Sequence, residues 1–144
     1  METSVKIKKL HENFNMPKQA HSGDAGFDLP CMAGFVLHAG ERMVVPCGFA
    51  MAMSPGWEAQ VRPRSGLAAK NGITVVNSPG TIDHQYRGEV KVVLLNTSSE
   101  DKEFEAGDRI AQMVIAKVPE VSFEEVDELD DTERGSGGFG STGK

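Results

Sequence analysis

The sequence predicts an all-β domain, and two observations support this prediction. Short apolar or alternating runs of residues recur along the whole chain. Turn-forming segments rich in Gly, Pro, Asn and Asp separate these runs. Short strands at this regular spacing are typical of a β-sandwich, a jelly roll or a barrel.

The expected strands follow the apolar runs in chain order. They are residues 5–7, 35–37, 43–45, 49–53, 57–61, 73–76, 90–95, 110–118 and 121–126. The expected turns are residues 38–40, 54–56, 71–72, 78–80 and 106–108. Residues 66–70 favour one helical turn, which is too short to build a helical layer. The last run follows Pro119 and is expected to form an acidic edge strand before order fades near Asp130.

Length and composition indicate one domain with a tail. The chain has 144 residues, the size of one ordinary domain. We expect a β domain over residues 1–126, followed over residues 127–144 by an acidic hinge and a Gly-rich C-terminal arm. No apolar run approaches the roughly 18 residues that indicate a membrane span, and no signal peptide is evident. We therefore expect a cytoplasmic protein in a reducing compartment with no membrane partner.

The net charge of −6 is concentrated near the C-terminus. Eight of the 21 acidic residues lie between Glu120 and Glu133, whereas the preceding residues carry equal numbers of acidic and basic side chains. Because the chain offers no basic face that tracks a nucleic-acid backbone, we expect no nucleic-acid partner. A small anion held by a few cations remains compatible with this distribution.

The two cysteines, Cys31 and Cys47, show no metal-binding spacing. Their separation is compatible with a disulfide. Without a secretion signal, however, two buried thiols are the expected state.

The C-terminal arm, residues 134–144, combines a cation, Arg134, and an aromatic ring, Phe139, with many glycines. A flexible terminus is the simpler interpretation, but a spacer needs neither of these two side chains. They favour a segment that becomes ordered over an anion attached to a flat ring. Residues 138–144 also match most of a Walker A loop, but the required preceding strand and following helix are missing.

Four polar clusters precede the arm: residues 25–30, 63–68, 77–89 and 107–112. Each alone has an ordinary structural explanation as a turn or a helix cap. Together, however, Arg64, Ser65 and Gly66 place a guanidinium, a hydroxyl and a backbone N–H at a helix start, where an anion binds favourably. Asp83 and Tyr86 lie three positions apart in a segment expected to bend into a hairpin. There the carboxylate can orient a water and the aromatic side chain can support a flat or puckered ring.

In order and spacing, the four clusters and the arm closely resemble the five motifs of the trimeric dUTP pyrophosphatase (dUTPase) family. The resemblance extends from about residue 16 to the last residue. It assigns residues 25–29, 63–68, 77–89, 107–112 and 134–143 to the five motifs in turn. Phe27 stands where Tyr is common in the first motif, which keeps the ring and loses a hydroxyl.

The resemblance implies a distorted jelly roll or β-barrel of the dUTPase-like type, with a flexible C-terminal arm. It further implies a homotrimer whose active sites are shared between subunits. The implied activity is hydrolysis of dUTP to dUMP and pyrophosphate by Mg²⁺-assisted attack of water on the α-phosphate. This reaction limits uracil incorporation into DNA and supplies dUMP for dTMP synthesis.

The resemblance also implies a role for each motif residue. Asp83 orients the attacking water as the catalytic base, and Asp28 holds Mg²⁺ in its outer shell through water. The nucleoside is bound by Asn77, Gly80, Thr81, Ile82 and Tyr86. The phosphates are bound by Arg64, Ser65, Gly66 and Gln112. The arm closes over the nucleotide with Arg134 at the γ-phosphate, Phe139 on the uracil, and Gly140, Ser141 and Thr142 around the triphosphate.

Two alternative functions predict different residues in these motifs. A dCTP deaminase of the same fold carries a catalytic Glu in the third motif and lacks the Phe-bearing arm, whereas this chain has Asp83 and Tyr86 in the hydrolase pattern. A catalytically idle relative that binds a protein partner is expected to have lost motif residues, and here none is lost. A binding role beside the activity remains compatible with the sequence.

Overall fold

Eleven strands and one short helix make up the fold in the computed structural model, which describes residues 2–143. The strands are β1 (Lys6–Lys9), β2 (Gly26–Pro30), β3 (Phe35–Leu37), β4 (Arg42–Pro46), β5 (Phe49–Ala52), β6 (Trp57–Arg62), β7 (Ile73–Val75), β8 (Gly80–Asp83), β9 (Lys91–Asn96), β10 (Lys102–Phe104) and β11 (Arg109–Lys117). The helix α1 (Ser65–Asn71) follows β6 and ends at Gly72, whose left-handed φ of 67° suits glycine. These elements confirm the predicted all-β class.

All strand pairs are antiparallel and form two larger sheets and two ribbons. The larger sheets have the orders β2-β11-β6-β8 and β4-β9-β7, and the ribbons are β1-β5 and β3-β10. One contiguous apolar core draws on all four. Its largest fully buried side chains are Phe49, Leu29, Leu37, Ile73, Leu94 and Ile110. The inward face of the four-stranded sheet is therefore anchored in the core, and its outward face is free to carry polar groups.

The eight strands predicted up to residue 118 correspond to observed ones with boundaries shifted by three residues or fewer. Three observed strands, β2, β8 and β10, were not predicted, because polar residues and glycine interrupt their apolar alternation. The strand predicted over residues 121–126 was wrong. These residues are exposed and outside any described strand, because they pair with no strand edge in this chain.

The prediction of a hairpin within residues 77–89 was also wrong, because the strand in this segment does not pair with the next strand along the chain. β8 pairs with β6 in the four-stranded sheet, whereas β9 pairs with β4 and β7 in the three-stranded sheet. The physical reason is burial, since Ile82 on β8 and Val92 on β9 both reach the core, but from different sheets. The chain does reverse direction here, as a connection between the sheets.

Cys31 and Cys47 are both buried and unbonded to each other, as expected for two thiols. Burial raises the pKa of the Cys47 thiol to about 12 and also raises the pKa of Cys31, so neither is an activated nucleophile. The seven-residue α1 is the one helix among residues 2–143 and lacks the length to cross a membrane.

Candidate active site

A polar cleft of about 330 Å³ opens where β2, β11 and the start of α1 meet. Its walls are Ala20, Asp24, Ala25, Gly26, Asp28, Arg64, Ser65, Gly66 and Gln112. The fold therefore brings together the whole set of residues expected to bind phosphate, Arg64, Ser65, Gly66 and Gln112 from the body, with Asp28. Sequence positions more than 80 apart meet here because β2 and β11 are neighbours in the sheet.

Two guanidinium groups share the carboxylate of Asp28. Arg64 Nε lies 3.2 Å from Asp28 Oδ1, and Arg109 Nη1 lies 3.5 Å from Oδ2. Arg64 Nη1 also donates to the backbone carbonyl of Arg109 at 3.3 Å. Arg64 and Arg109 together outweigh the single charge of Asp28, and this excess offsets the carboxylate of Asp24 in the cleft wall.

The amide of Gln112 is fixed at the floor of the cleft. Its Nε2 donates a hydrogen bond to the carbonyl of Pro63 at 2.9 Å. Its Oε1 lies so close to Gly26 that a β-carbon at that position would overlap it. Gly26 therefore has a steric role here, since it leaves room for the Gln112 amide.

A second, narrow pocket of about 60 Å³ lies between β6, β8 and β9. Its lining is Val61, Val75, Asn77, Gly80, Thr81, Ile82, Lys91, Val92 and Val93. A β-carbon on Gly80 would lie 3.3 Å from Asn77 Nδ2, so the glycine keeps this pocket open beside the amide. The structure thus groups Asn77 with Gly80, Thr81 and Ile82, whereas Tyr86, which was assigned to the same ligand, does not line this pocket.

The turn after β8 orders the two remaining third-motif residues. Tyr86 N donates to the Asp83 carbonyl at 3.1 Å, and Tyr86 Oη donates to the Glu89 carbonyl at 3.0 Å. The ring lies against Gly88, where a β-carbon would clash with it. Asp83 is exposed at the end of β8, and its carboxylate forms no hydrogen bond or ion pair with any residue in 2–143.

Asp28 and Asp83 lie on the same outward face of the four-stranded sheet but at opposite corners. Gln112 on β11 pairs with Asp28 on β2 and with Arg62 on β6. Asp83 on β8 pairs with Glu58, four positions further along β6. The two residues are three strands apart across the sheet and four residues apart along it. These offsets separate the two carboxylates by roughly 20 Å. One copy of the chain therefore does not bring Asp83 to its own cleft.

The arm lies apart from both pockets in this single chain. Arg134 Nε donates to the Gly137 carbonyl at 2.8 Å, and short turns at residues 138–141 and 140–143 follow. Phe139 is fully exposed with a left-handed φ of 52°. A single chain thus does not bring the arm residues of the predicted site to the two pockets. These residues are Arg134, Phe139, Gly140, Ser141 and Thr142.

Three residues at these pockets were not singled out from the sequence: Asp24, Lys91 and Arg109. Arg109 and Lys91 lie in or next to segments that were recognised, but their roles depend on strand register. Asp24 lies directly before the first cluster and lines the cleft through a loop whose path the sequence pattern does not reveal.

Comparison with known proteins gives a consistent result. The dUTPase family model matches residues 12–143. The deoxyuridine 5'-triphosphate nucleotidohydrolase of Clostridium acetobutylicum is 54% identical over 140 residues and covers 97% of each chain. The corresponding protein of Rickettsia bellii is 54% identical over 144 residues, covering 98% of this chain and 96% of its own.

Solved structures agree with this sequence relationship. The Staphylococcus bacteriophage 80alpha dUTPase with dUPNHPP superposes with a TM-score of 0.89 at 26% identity, covering 98% of this chain and 99% of that one. The dUTPase of S. aureus phage phi11, at 22% identity and a TM-score of 0.80, shares the fold and covers 90% and 99% of the two chains. The five motifs, the fold and these relatives together show that the chain belongs to the dUTPase family.

Proposed function

We propose that this chain is a dUTP diphosphatase that hydrolyses dUTP to dUMP and pyrophosphate by attack of water on the α-phosphate. The observation that carries the proposal is a pair of half-sites built on strands of the four-stranded sheet. One half-site is a polar cleft that contains Arg64, and the other is a narrow pocket next to Asp83, whose carboxylate has no partner among residues 2–143. The name shared by the close relatives supports dUTP as the substrate.

The cleft would hold the triphosphate. Arg64, Ser65 and Gly66 offer a guanidinium, a hydroxyl and a backbone N–H at the start of α1, and Gln112 adds an amide at the floor. Phosphoryl transfer needs little covalent help from a protein, so positioning and neutralisation of charge supply most of the catalysis.

The pocket between β6, β8 and β9 would bind the nucleoside. Asn77 and the backbone of Gly80, Thr81 and Ile82 would read the uracil edge, and the close-packed turn would leave no room for a 5-methyl group. Tyr86, held by its bond to the Glu89 carbonyl, would support the deoxyribose and leave no place for a 2′-hydroxyl. These contacts would separate dUTP from both dTTP and UTP.

Asp83 would orient and deprotonate the attacking water. Its carboxylate is exposed and forms no ion pair with a described residue, so it is free to accept a proton from water. Because Asp83 lies roughly 20 Å from the cleft of its own chain, it would act on substrate bound at the cleft of another copy.

The donor set fits Mg²⁺ only in an outer-shell role. Among residues 2–143 no group of three or more His, Cys, Asp or Glu side chains could hold a metal. Mg²⁺ keeps several waters and takes its other ligands from phosphates, so a single nearby carboxylate is enough. Asp28, which lines the cleft, would accept hydrogen bonds from such waters. The ion would neutralise charge on the triphosphate.

We also propose a homotrimer with three shared sites, in which the arm closes over a neighbour's nucleotide. Two findings support association: the separation of the half-sites, and the exposed apolar side chains of Val121, Phe123 and Leu129 that contact no core. In the closed state Arg134 would pair with the γ-phosphate, Phe139 would stack on the uracil, and Gly140, Ser141 and Thr142 would surround the triphosphate. The unbonded thiols of Cys31 and Cys47 support a reducing, cytoplasmic location.

The proposed function is tested by measuring pyrophosphate release from dUTP, dTTP, dCTP and UTP, each with and without Mg²⁺. We expect Mg²⁺-dependent release from dUTP and much slower release from the other three nucleotides. Ammonia release from dCTP would identify a deaminase instead. Binding of dUTP without turnover would identify an idle module.

A further inference from the structure

We propose that Arg109 is a positioning residue for the reaction: acting through Asp28, it holds the Arg64 guanidinium in the orientation that binds phosphate. This role rests on the proposed function of the cleft in binding the triphosphate. It gives the start of β11 a role in the site.

Arg109 contacts the Arg64–Asp28 pair at two points. Its Nη1 lies 3.5 Å from Asp28 Oδ2, while Arg64 Nε occupies Oδ1 at 3.2 Å. Its backbone carbonyl accepts a hydrogen bond from Arg64 Nη1 at 3.3 Å. The Asp28 side chain is only 17% exposed, against 28% for Arg64 and 54% for Arg109. Asp28 is thus the least exposed of the three side chains and links the two more accessible cations.

A β-bulge turns Arg109 toward this cluster. Along β11 the register shifts between Arg109 and Ala111, so that Ile110 and Ala111 together oppose Leu29 on β2. Ile110 and Ala111 are both buried, whereas strict alternation would place one of them outward. Without the bulge, the alternation that places Gln112 outward would point Arg109 into the core. The irregularity therefore places a charged side chain on the same sheet face as Asp28.

The charge balance explains why a second cation is needed. Arg64 and Asp28 alone form a neutral pair, in which the carboxylate competes with phosphate for the guanidinium. Arg109 occupies the second carboxylate oxygen and leaves Asp28 less free to rotate around Arg64. The Nη2 group of Arg64 makes no hydrogen bond to any residue in 2–143 and is available to an anion.

The test is a double-mutant cycle on the full-length protein with inorganic pyrophosphate as the probe, measured by calorimetry. Arg109→Gln is combined with Asp28→Asn, and Arg109→Lys retains the charge. The control is Arg42→Gln, which removes the same charge from an exposed position on β4 in the other large sheet. Circular dichroism and the thermal midpoint check that each variant is folded, and dUTP hydrolysis is followed in parallel.

We expect Arg109→Gln to weaken pyrophosphate binding about tenfold, or about 1.4 kcal/mol. Arg109→Lys should recover most of the loss, and Arg42→Gln should change binding less than twofold. In the Asp28→Asn background, Arg109→Gln should have almost no further effect, because its route to Arg64 is gone. If Arg109→Gln does not fold, the effect of Arg109→Lys on pyrophosphate binding is compared between the wild-type and Asp28→Asn proteins, where a smaller difference is expected.

Two results would overturn the proposal. Additive effects of the Arg109 and Asp28 changes would mean that Arg109 acts on the anion directly, and equal effects of Arg109→Gln and Arg42→Gln would mean that only net charge matters. Failure of the wild-type protein to hydrolyse dUTP would refute the proposed function instead. The pyrophosphate cycle would still decide whether Arg109 acts through Asp28.

Discussion

At the scale of residues, Asp28 and Asp83 lie on the same sheet face but in different surroundings, and these surroundings favour different roles for the two carboxylates. Asp28 is largely buried and contacts two guanidinium groups, so its charge is already compensated. Asp83 is exposed and unpaired among the described residues, so its charge is available to a water molecule. The same side chain thus serves as an anchor in one place and as a candidate base in the other.

Asp83→Asn tests the second role. An amide keeps the size of the side chain but is a poor proton acceptor, so kcat should fall by a factor of about 10² to 10⁴. Binding of dUPNHPP, measured by calorimetry, should stay near the wild-type value, because Asp83 acts on water. A near-normal kcat would remove Asp83 from the catalytic role. Glu103→Gln, at an exposed position on β10, is the matched control.

Gly26→Ala tests whether the fixed amide of Gln112 matters to the reaction. The added methyl group overlaps Gln112 Oε1 and should displace the amide from its bond to Pro63. Because this atom ends a flexible side chain, folding should be little affected, while kcat/KM should fall about tenfold or more. Steady-state kinetics of Gly26→Ala, Gln112→Ala and the double variant provide the measurement. An additional loss in the double variant would show that Gly26 acts by another route.

At the scale of elements, apolar alternation allowed most of the strands to be predicted, and polar composition hid the others. β9 carries a continuous apolar run, and its fully buried side chains alternate with less buried ones, so it was expected from its sequence. β2 and β8 carry Asp28 and Asp83, and each was described only as a polar cluster. β2 and β8 were missed as strands because their candidate site residues interrupt the apolar pattern.

The arm is the element whose removal should separate folding from activity. Residues 134–143 make hydrogen bonds only among themselves and with Thr132, so a chain ending at Glu133 should fold with an unchanged thermal midpoint. Its kcat/KM for dUTP should fall sharply, since Arg134 and Phe139 are proposed to close the site.

Phe139→Ala refines this prediction. Stacking of an aromatic ring on a base contributes about 1–3 kcal/mol, so this variant should lose roughly tenfold or more in kcat/KM. Size-exclusion chromatography with light scattering should show the same oligomer for the truncated and full-length chains. Full activity of the truncated chain would leave the arm without a part in catalysis.

At the scale of the whole molecule, the roughly 20 Å between Asp28 and Asp83 is the decisive dimension. It exceeds the reach of a water-orienting carboxylate toward a phosphate in the cleft of the same chain. A second copy that places its β8 end beside the cleft would complete the site. Activity is therefore expected to belong to the oligomer.

Subunit complementation tests this expectation. Asp83→Asn and Arg64→Gln chains should each be nearly inactive alone. When they are unfolded together and refolded at equal amounts, about a quarter of the shared sites should combine an intact Asp83 with an intact Arg64. Pyrophosphate release from dUTP should rise accordingly. No recovery in demonstrably mixed oligomers would mean that each site is built within one chain.

The sequence by itself determined the β class, the five motifs and thereby the family, because these depend on residue type and spacing along the chain. It also indicated the candidate phosphate-binding residues at the start of α1, since Arg64, Ser65 and Gly66 are consecutive. The position of Arg109 beside Asp28, the pairing of β8 with β6 and the distance between the half-sites were decided only by tertiary structure. These features depend on strand register and on one β-bulge, and a shift of one residue in register moves a side chain to the opposite face of the sheet.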